Sequence, residues 1–174
     1  PIIIDLSDQN LANDIGGGNF LAGVEALTLT TGSGNDSILT LSGLRHDNIS
    51  TGDGNDTVRF AGGNDTVNLG VGGAADMDRL IVDWSATTGD VTYGYYYYDT
   101  DPSDTYGDFY NSQDGGTSYY IHFYGVEEFD VTTGSGNDSF TLGILNDTVR
   151  SGAGDDHVNV MTGDFVADLG AGNA

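Results

Sequence analysis

Single apolar residues recur at a regular spacing in two stretches of the chain, each two positions after an aspartate. These aspartates are nine residues apart; they are Asp47, Asp56 and Asp65 in the first stretch and Asp138, Asp147 and Asp156 in the second. Each nonapeptide therefore contains a polar turn and about three strand residues, of which one side chain can face inward. Because one unit cannot bury that side chain alone, the pattern predicts a solenoid of stacked units.

Two nonapeptides should form one coil of this solenoid, so that turns two repeats apart lie above one another. Weaker copies at Asp36, Asp78 and Asp164 extend both stretches. The predicted stacked pairs are Asp36 with Asp56, Asp47 with Asp65, Asp138 with Asp156, and Asp147 with Asp164. The predicted internal ladders are Ile38, Ile49, Val58, Val67 and Leu80 in the first stretch and Phe140, Val149, Val158 and Val166 in the second.

The turns between the strands are rich in glycine and aspartate, as in Gly52-Asp53-Gly54-Asn55-Asp56. Two carboxylates and the carbonyls exposed by glycine can supply the roughly six to eight oxygens that Ca²⁺ accepts, whereas Mg²⁺ requires a rigid octahedron. The alternative is an ordinary tight turn whose aspartate bonds its own backbone. The shared register of many copies favours calcium. The predicted metal-site residues are Gly32, Gly34, Asp36, Asp47, Gly52, Asp53, Gly54, Asp56, Gly62, Gly63, Asp65, Asp78, Gly134, Gly136, Asp138, Asp147, Gly152, Gly154, Asp156 and Asp164.

With these repeats the sequence resembles the RTX family of secreted proteins, whose nonapeptide is G-G-x-G-x-D-x-U-x. The resemblance covers residues 31–81 and 133–174, and it is weakest at 43–46 and 143–145, where glycines are missing. It implies a right-handed parallel β-roll that holds several calcium ions. It also implies export in an unfolded state by a type I system, followed by folding outside the cell.

The composition agrees with an ion-dependent fold. Twenty-seven acidic residues face four arginines and no lysine, for a formal net charge of −23. This charge repels nucleic acids and anionic lipids, which require clustered basic residues. Such a chain is expected to stay expanded unless cations neutralise its carboxylates. No apolar run reaches the length of a membrane span, and the chain contains no cysteine.

A second level of repetition relates residues 23–37 to residues 125–139, with a constant offset of 102. Upstream, residues 3–7 resemble residues 81–85 with an offset of 78, so about 24 residues are inserted in the second unit. All ten tyrosines lie between Tyr93 and Tyr124 in this region. Alternation predicts a hairpin that either seals its own small core or exposes a strip for a glycan or a neighbouring protein. The candidate ligand-binding residues are Tyr95, Tyr96, Tyr97, Tyr98, Tyr119 and Tyr120.

Catalysis has little support in the sequence. The histidines at 46, 122 and 157 have no zinc spacing, and the scattered arginines could not hold an acidic polysaccharide. A polysaccharide-active enzyme and self-cleavage at Asp101-Pro102 stay as residual alternatives.

We therefore predict an all-β, right-handed parallel β-roll or β-solenoid with calcium-binding turns, interrupted by antiparallel spacer strands. Its predicted parts are spacer strands at 1–30, a first RTX block at 31–82, a spacer at 83–132 with a tyrosine-rich insertion at about 93–120, and a second, truncated RTX block at 133–174. The predicted function is a calcium-binding structural module of an extracellular or bacterial cell-surface protein, such as a surface layer, adhesin or fibre. Neighbouring copies could also stack through the solenoid ends.

Overall fold

The repeats fold into short strands joined by tight turns. The structure, a computed structural model, describes residues 2–5, 13–16, 19–21, 26–40, 46–70, 76–97, 105–112, 118–142, 146–161 and 163–172. At residues 5, 13–16, 19–21 and 95–97 the description covers the backbone. Every regular element among these residues is a strand. The all-β class predicted from the sequence is thus confirmed.

The described residues form seventeen strands. In chain order they are β1 (Ile3–Asp5), β2 (Asn13–Gly16), β3 (Asn19–Leu21), β4 (Thr28–Thr30), β5 (Ser37–Leu39), β6 (Asn48–Ser50), β7 (Thr57–Phe60), β8 (Asn64–Asn68), β9 (Arg79–Asp83), β10 (Val91–Tyr97), β11 (Thr105–Asn111), β12 (Tyr120–Tyr124), β13 (Glu128–Thr132), β14 (Ser139–Leu142), β15 (Asp147–Arg150), β16 (His157–Val160) and β17 (Phe165–Asp168).

Two sheets carry the solenoid. The first sheet has the order β1-β5-β7-β9-β13-β15-β17, and all of its neighbours are parallel. The second sheet has the order β16-β14-β10-β11-β12-β8-β6-β4, and β2 and β3 form a separate hairpin. Successive nonapeptides alternate between the two sheets, so that Ser37 pairs with Thr57 in the first sheet and Asn48 with Thr66 in the second. Two repeats per coil, and the parallel solenoid itself, are as predicted.

The apolar residues of the first block form two facing ladders rather than one. Ile38, Val58 and Leu80 are in register in the first sheet, while Ile49 and Val67 are in register in the second. All five side chains are at most 1% exposed. The two ladders meet in the interior, because each strand directs alternate side chains inward.

The prediction that Val166 faces the interior is wrong. Val166 is 61% exposed and lies in register with Thr148, whereas Ala167 is the partner of Val149. Asp164 follows Asp156 by eight residues instead of nine. A slip of one residue turns the side chains of a strand to the opposite face.

The tyrosine-rich insertion is part of the second sheet. The antiparallel strands β10, β11 and β12 lie between β14, which is parallel to β10, and β8, which is parallel to β12. The first sheet meanwhile passes directly from β9 to β13. The meander therefore adds strands to one sheet only.

The inward face of the meander shares the core of the solenoid instead of sealing a core of its own. The ring centroids of Tyr93 and Phe109 are 4.6 Å apart, and those of Phe123 and Phe129 are 5.0 Å apart. Trp84, which is 1% exposed, packs edge-on against Phe109 at 6.4 Å. These rings fill the space between the two sheets at the junction of the two blocks.

We expect Phe123→Ala to lower the free energy of unfolding by about 3–5 kcal/mol, because it would leave a cavity among the rings. Phe165→Ala is the matched control, since Phe165 is 48% exposed, and it should cost less than about 1 kcal/mol. Denaturant unfolding of the calcium-loaded protein, followed by circular dichroism, gives both values. Equal losses in the two variants would contradict a shared aromatic core.

Candidate metal sites in the stacked turns

The turns of the solenoid lie along its two sides. On side one, the chain leads from the second sheet to the first, and the described turn residues are 31–36, 51–56, 69–70, 76–78 and 125–127. On side two, it leads from the first sheet to the second, through residues 61–63, 84–90, 133–138 and 151–156. The Gly-x-Gly turns of the first block, at 32–34 and 52–54, lie on side one, and those of the second block, at 134–136 and 152–154, lie on side two. The two blocks therefore present their most complete repeats on opposite sides.

Glycine columns run along both sides because successive turns are in backbone contact. On side one, a Cβ added to Gly70 would lie 1.9 Å from the carbonyl oxygen of Gly52, and one added to Gly125 would lie 1.8 Å from that of Gly70. On side two, a Cβ added to Gly152 would lie 1.9 Å from the carbonyl oxygen of Gly134, and one added to Gly154 would lie 2.0 Å from that of Gly136. The same columns extend to Gly170 and Gly172. Each carbonyl thus points toward the next turn, where no side chain fits.

The repeat aspartates join neighbouring coils. The backbone N–H of Asp36 donates to Asp56 Oδ1 at 2.7 Å, that of Asp47 to Asp65 Oδ1 at 2.9 Å, and that of Asp138 to Asp156 Oδ1 at 2.9 Å. All six residues are buried. The structure therefore brings together three of the four predicted pairs.

The fourth predicted pair is not stacked in this way. Asp147 lies in register with Phe165, so Asp164 lies one position away, and its side chain is exposed. The eight-residue spacing that turns Val166 outward also explains this difference. Asp147 instead accepts the N–H of Phe129 at 3.1 Å. Asp147 and Asp164 still border one open cavity, together with Glu128 and Asn146.

The carboxylate column on side one continues beyond the predicted residues. The N–H of Asp56 donates to Asp78 Oδ1 at 2.7 Å, and that of Asp78 donates to Glu127 Oε2 at 2.8 Å. Asp76, which is also buried, accepts from the N–H of Gly54 at 3.4 Å. Glu127 thus stands in the place of a repeat aspartate. The signal in the sequence was its Gly-Val-Glu tripeptide, which recurs at 23–25 directly before the first block.

A turn without a recognisable repeat extends the column on side two. Gly134 lies over the carbonyl of Thr87 and Gly136 over that of Gly89. Asp90 accepts the N–H of Asn137 at 2.7 Å, and the N–H of Val91 donates to Asp138 Oδ1 at 2.7 Å. Residues 87–90 carry one glycine, which is why the nine-residue pattern missed them.

The remaining predicted site residues lie in different surroundings. Gly62 and Gly63 are in the left-handed region of backbone conformation, with φ of 145° and 122°, directly before the buried Asp65. Asp53 has an exposed side chain, but its carbonyl accepts the N–H of Gly34 at 2.8 Å. Its contribution to a site would therefore come from the backbone.

The predicted tyrosine strip is divided between two faces. Tyr119 is half-buried and packs against Trp84 with ring centroids 5.8 Å apart, whereas Tyr120 points outward and is 37% exposed. Tyr95, Tyr96 and Tyr97 lie on β10, where the description covers the backbone, and Tyr98 lies outside the described residues. Asp101 and Pro102, the residual self-cleavage site, also lie outside them.

Burial changes the acidity of the stacked carboxyls. Loss of solvation raises the pKa of Asp65 to about 7, that of Asp78 to about 8 and that of Asp138 to about 6. At Asp78 the nearby carboxylates of Asp76 and Glu127 raise the pKa further. Hydrogen bonds from the preceding coil, and at Asp138 also from the Thr133 hydroxyl, lower the pKa values but do not cancel these shifts. Without a cation, the ionised form of these side chains is therefore destabilised in the folded chain.

The donor set in the stacked turns fits a calcium ion. Every available group is oxygen, from carboxylates and glycine carbonyls, as a hard cation requires. Asp65 Oδ2 is buried and forms no hydrogen bond, so an ion could supply its missing partner. Among the described residues, no three acidic or histidine side chains converge on one point. An ion would consequently depend on backbone carbonyls for part of its coordination.

Comparison with known families agrees with this geometry. A family model of the RTX calcium-binding nonapeptide repeat matches the chain in four copies, over residues 30–67 and 132–164. Both stretches belong to the RTX calcium-binding repeat family. These two stretches include the Gly-x-Gly turns of both sides of the solenoid. Searches of curated proteins and of solved structures found no match.

No helix within the described part of the chain has the length and apolar character needed to cross a bilayer. The assignment of individual RTX residues as calcium ligands stays a prediction.

We expect Gly152→Ala to destabilise the calcium-loaded protein by about 2 kcal/mol or more. Gly152 has φ of 79°, and a methyl group there would meet the carbonyl of Gly134. Gly32→Ala is the matched control, because a Cβ at Gly32 has no atom within 4 Å. Thermal unfolding in calcium compares the two, and a larger loss for Gly32→Ala would contradict the stacked turns.

Without calcium, the folded chain should be more stable at pH 5 than at pH 8. A carboxyl whose pKa is raised on folding favours the folded state below its unfolded pKa, near 3.8, and this advantage is lost as the pH rises through the folded pKa, here about 6 to 8. Circular dichroism of the metal-free protein between pH 5 and pH 8.5 measures the effect. Replacing Asp65, Asp78 and Asp138 together by Asn should flatten the profile. A rise in stability with pH in the unsubstituted chain would disprove the assignment.

Proposed function

We propose that this chain is a calcium-binding structural module of a secreted or cell-surface bacterial protein, and that it folds when it binds calcium after export. The observation that carries the proposal is the column of buried carboxylates joined coil to coil. In the metal-free state these groups bring negative charges close together inside a chain that already has a net charge of −23. Divalent cations remove that repulsion only where the coils are stacked, so binding and folding are coupled.

The compartment follows from the affinity expected for such sites. Extracellular calcium modules bind in the range of about 10⁻⁴ to 10⁻³ M. At cytosolic calcium the acidic chain would remain expanded, in a state that a type I exporter can transport. At extracellular calcium the sites fill and the solenoid becomes rigid. A surface layer, an adhesin or a fibre would use that rigidity, and solenoid ends could stack on neighbouring copies.

The predicted parts of the chain correspond to separate tasks in this proposal. The two RTX blocks bind calcium in their stacked turns, with their Gly-x-Gly turns on opposite sides, and the spacer between them supplies the aromatic core. An enzymatic function is not proposed. The RTX repeats are structural, and the residual polysaccharide-active alternative would be tested by turnover of alginate or pectin.

Calcium should convert the metal-free chain at pH 8 into the β-solenoid, with a midpoint between about 0.1 and 1 mM. Circular dichroism during a calcium titration measures the conversion, and calorimetry gives the number of ions. Magnesium at the same concentration should be less effective, because its octahedral shell fits carbonyl ligands poorly. Identical spectra in chelator and in calcium would disprove coupled folding.

The adjacent residues Asp155 and Asp156 provide a matched pair of variants for this titration. Asp156 is buried and accepts the N–H of Asp138, whereas Asp155 is exposed at a position where five other repeats carry asparagine. Asp156→Asn should raise the calcium midpoint several-fold, while Asp155→Asn should leave it nearly unchanged. Both variants remove one negative charge, so equal shifts would indicate a general charge effect instead of a site.

A further inference from the structure

The two sheets of the solenoid differ in the chemistry of their outward faces. The first sheet is charged. Arg59 pairs with Asp83 at 2.6 Å, and Arg79 and Arg150 each pair with Asp130 at 2.7 Å. On the described strands of the second sheet, the outward side chains are serine, threonine, asparagine, tyrosine and histidine, with Asp108 as the single carboxylate. In a chain with 27 acidic residues, this face is nearly free of charge.

Tyrosines surround the single Asp–His pair at the centre of that face. In the pairing of β11 with β12, Tyr106 lies opposite Tyr124, Asp108 opposite His122, and Tyr110 opposite Tyr120. Tyr110, Tyr120 and Tyr124 are 44%, 37% and 42% exposed. Four aromatic rings therefore occupy the corners of a rectangle around Asp108 and His122. None of Tyr106, Tyr110 and Tyr124 belongs to the strip predicted from the sequence.

Hydrogen bonds fix the groups at the centre of the rectangle. Asp108 Oδ1 accepts from the Tyr120 hydroxyl at 2.5 Å and contacts His122 Nδ1. With its proton on Nδ1, His122 accepts the Tyr124 hydroxyl at Nε2, at 2.7 Å. Both hydrogen bonds that the described residues make to Asp108 end on Oδ1, so Oδ2 is available to a ligand hydroxyl. Gly94, opposite Asp108 on β10, carries no side chain.

We propose that this tyrosine rectangle binds a neutral saccharide chain. Rings at the corners offer flat apolar surfaces to the C–H faces of sugars, and a fixed carboxylate accepts their hydroxyls. The flanking strand β8 adds Asn64, Thr66 and Asn68, whose polar groups are directed outward in the same rows. Eight strands span roughly 34 Å, which accommodates several sugar units in a line across the sheet.

The negative net charge of the chain favours a neutral ligand over a polyanion. A polyanion, such as an acidic polysaccharide or a nucleic acid, would be repelled by a molecule of net charge −23 whose described arginines lie paired on the other sheet. A second copy of the chain would need an apolar interface centre, whereas this face carries hydroxyls and amides around its rings. The site rests on the proposed function only in that calcium must hold the sheet folded.

The test is binding of the calcium-loaded protein to neutral polymers, with amylose, cello-oligosaccharides and galactomannan as probes and alginate as the anionic comparison. Affinity electrophoresis and calorimetry should show binding to at least one neutral polymer. The double substitution Tyr110→Ala with Tyr124→Ala, and Asp108→Asn separately, should each weaken it on the order of tenfold. Phe165→Ala, an exposed aromatic residue on the other sheet, should leave it unchanged. If the double variant loses β-structure, Tyr110→Ala alone is used.

The outcomes separate the two proposals. Failure to bind any neutral polymer, with the calcium-folded spectrum intact, would overturn the saccharide site and leave calcium-coupled folding standing. Binding of alginate alone would overturn it too, as would self-association that the same tyrosine variants abolish. Saccharide binding by a protein whose spectrum does not respond to calcium would support the site and refute the proposed function.

Discussion

Neighbouring coils in the described part of the chain, apart from the last, are joined by a backbone N–H that donates to a buried carboxylate. The geometry of the turn places the aspartate of one coil beneath the amide of the coil before it, as with Asp36 and Asp56. The strand that follows is then fixed in register, and its apolar side chain faces the interior. The glycine columns, the parallel ladders and the rows of outward residues all follow from this one contact.

The same contact also has an electrostatic cost. A carboxylate is a strong acceptor, but burying many of them in columns brings like charges together in a region of low solvation. Asp78, with Asp56, Asp76 and Glu127 around it, shows the conflict most clearly. Hydrogen bonds alone do not resolve it. In the proposed function a bound cation does, so that the contact that sets the register is also the one that couples folding to calcium.

Much of the solenoid could be predicted from the spacing of Asp, Gly and single apolar residues, because these positions satisfy local rules of turn and strand. Three of the four stacked pairs follow from counting. Asp164 does not stack on Asp147, because its repeat is one residue short. The missing residue turns the side chains of its strand to the opposite face, and counting aspartates alone does not detect this change. The nine-residue pattern missed Glu127 and residues 87–90, because their role depends on the turns stacked against them and not on their own sequence.

The insertion was the hardest part to predict, for a related reason. Alternating tyrosines indicate strands but not which strands they will join. Tyr93 and Phe109 face the solenoid core because β10 and β11 are held between β14 and β8, and that arrangement depends on residues far apart in the chain. The outward tyrosines are defined only once that choice is made.

The unequal sheets, with seven strands and eight, also restrict how such a chain can grow. The regular strand β10 is followed by two extra strands. Strand β11 is antiparallel to β10, and β12 is antiparallel to β11. The chain then leaves β12 on side one, where Gly125 contacts Gly70. A single extra strand would end on side two, away from the side-one column of Gly52, Gly70 and Gly125. Insertions in this sheet should therefore come in even numbers of strands. The solenoid in this way imposes a parity rule on the evolution of its own loops.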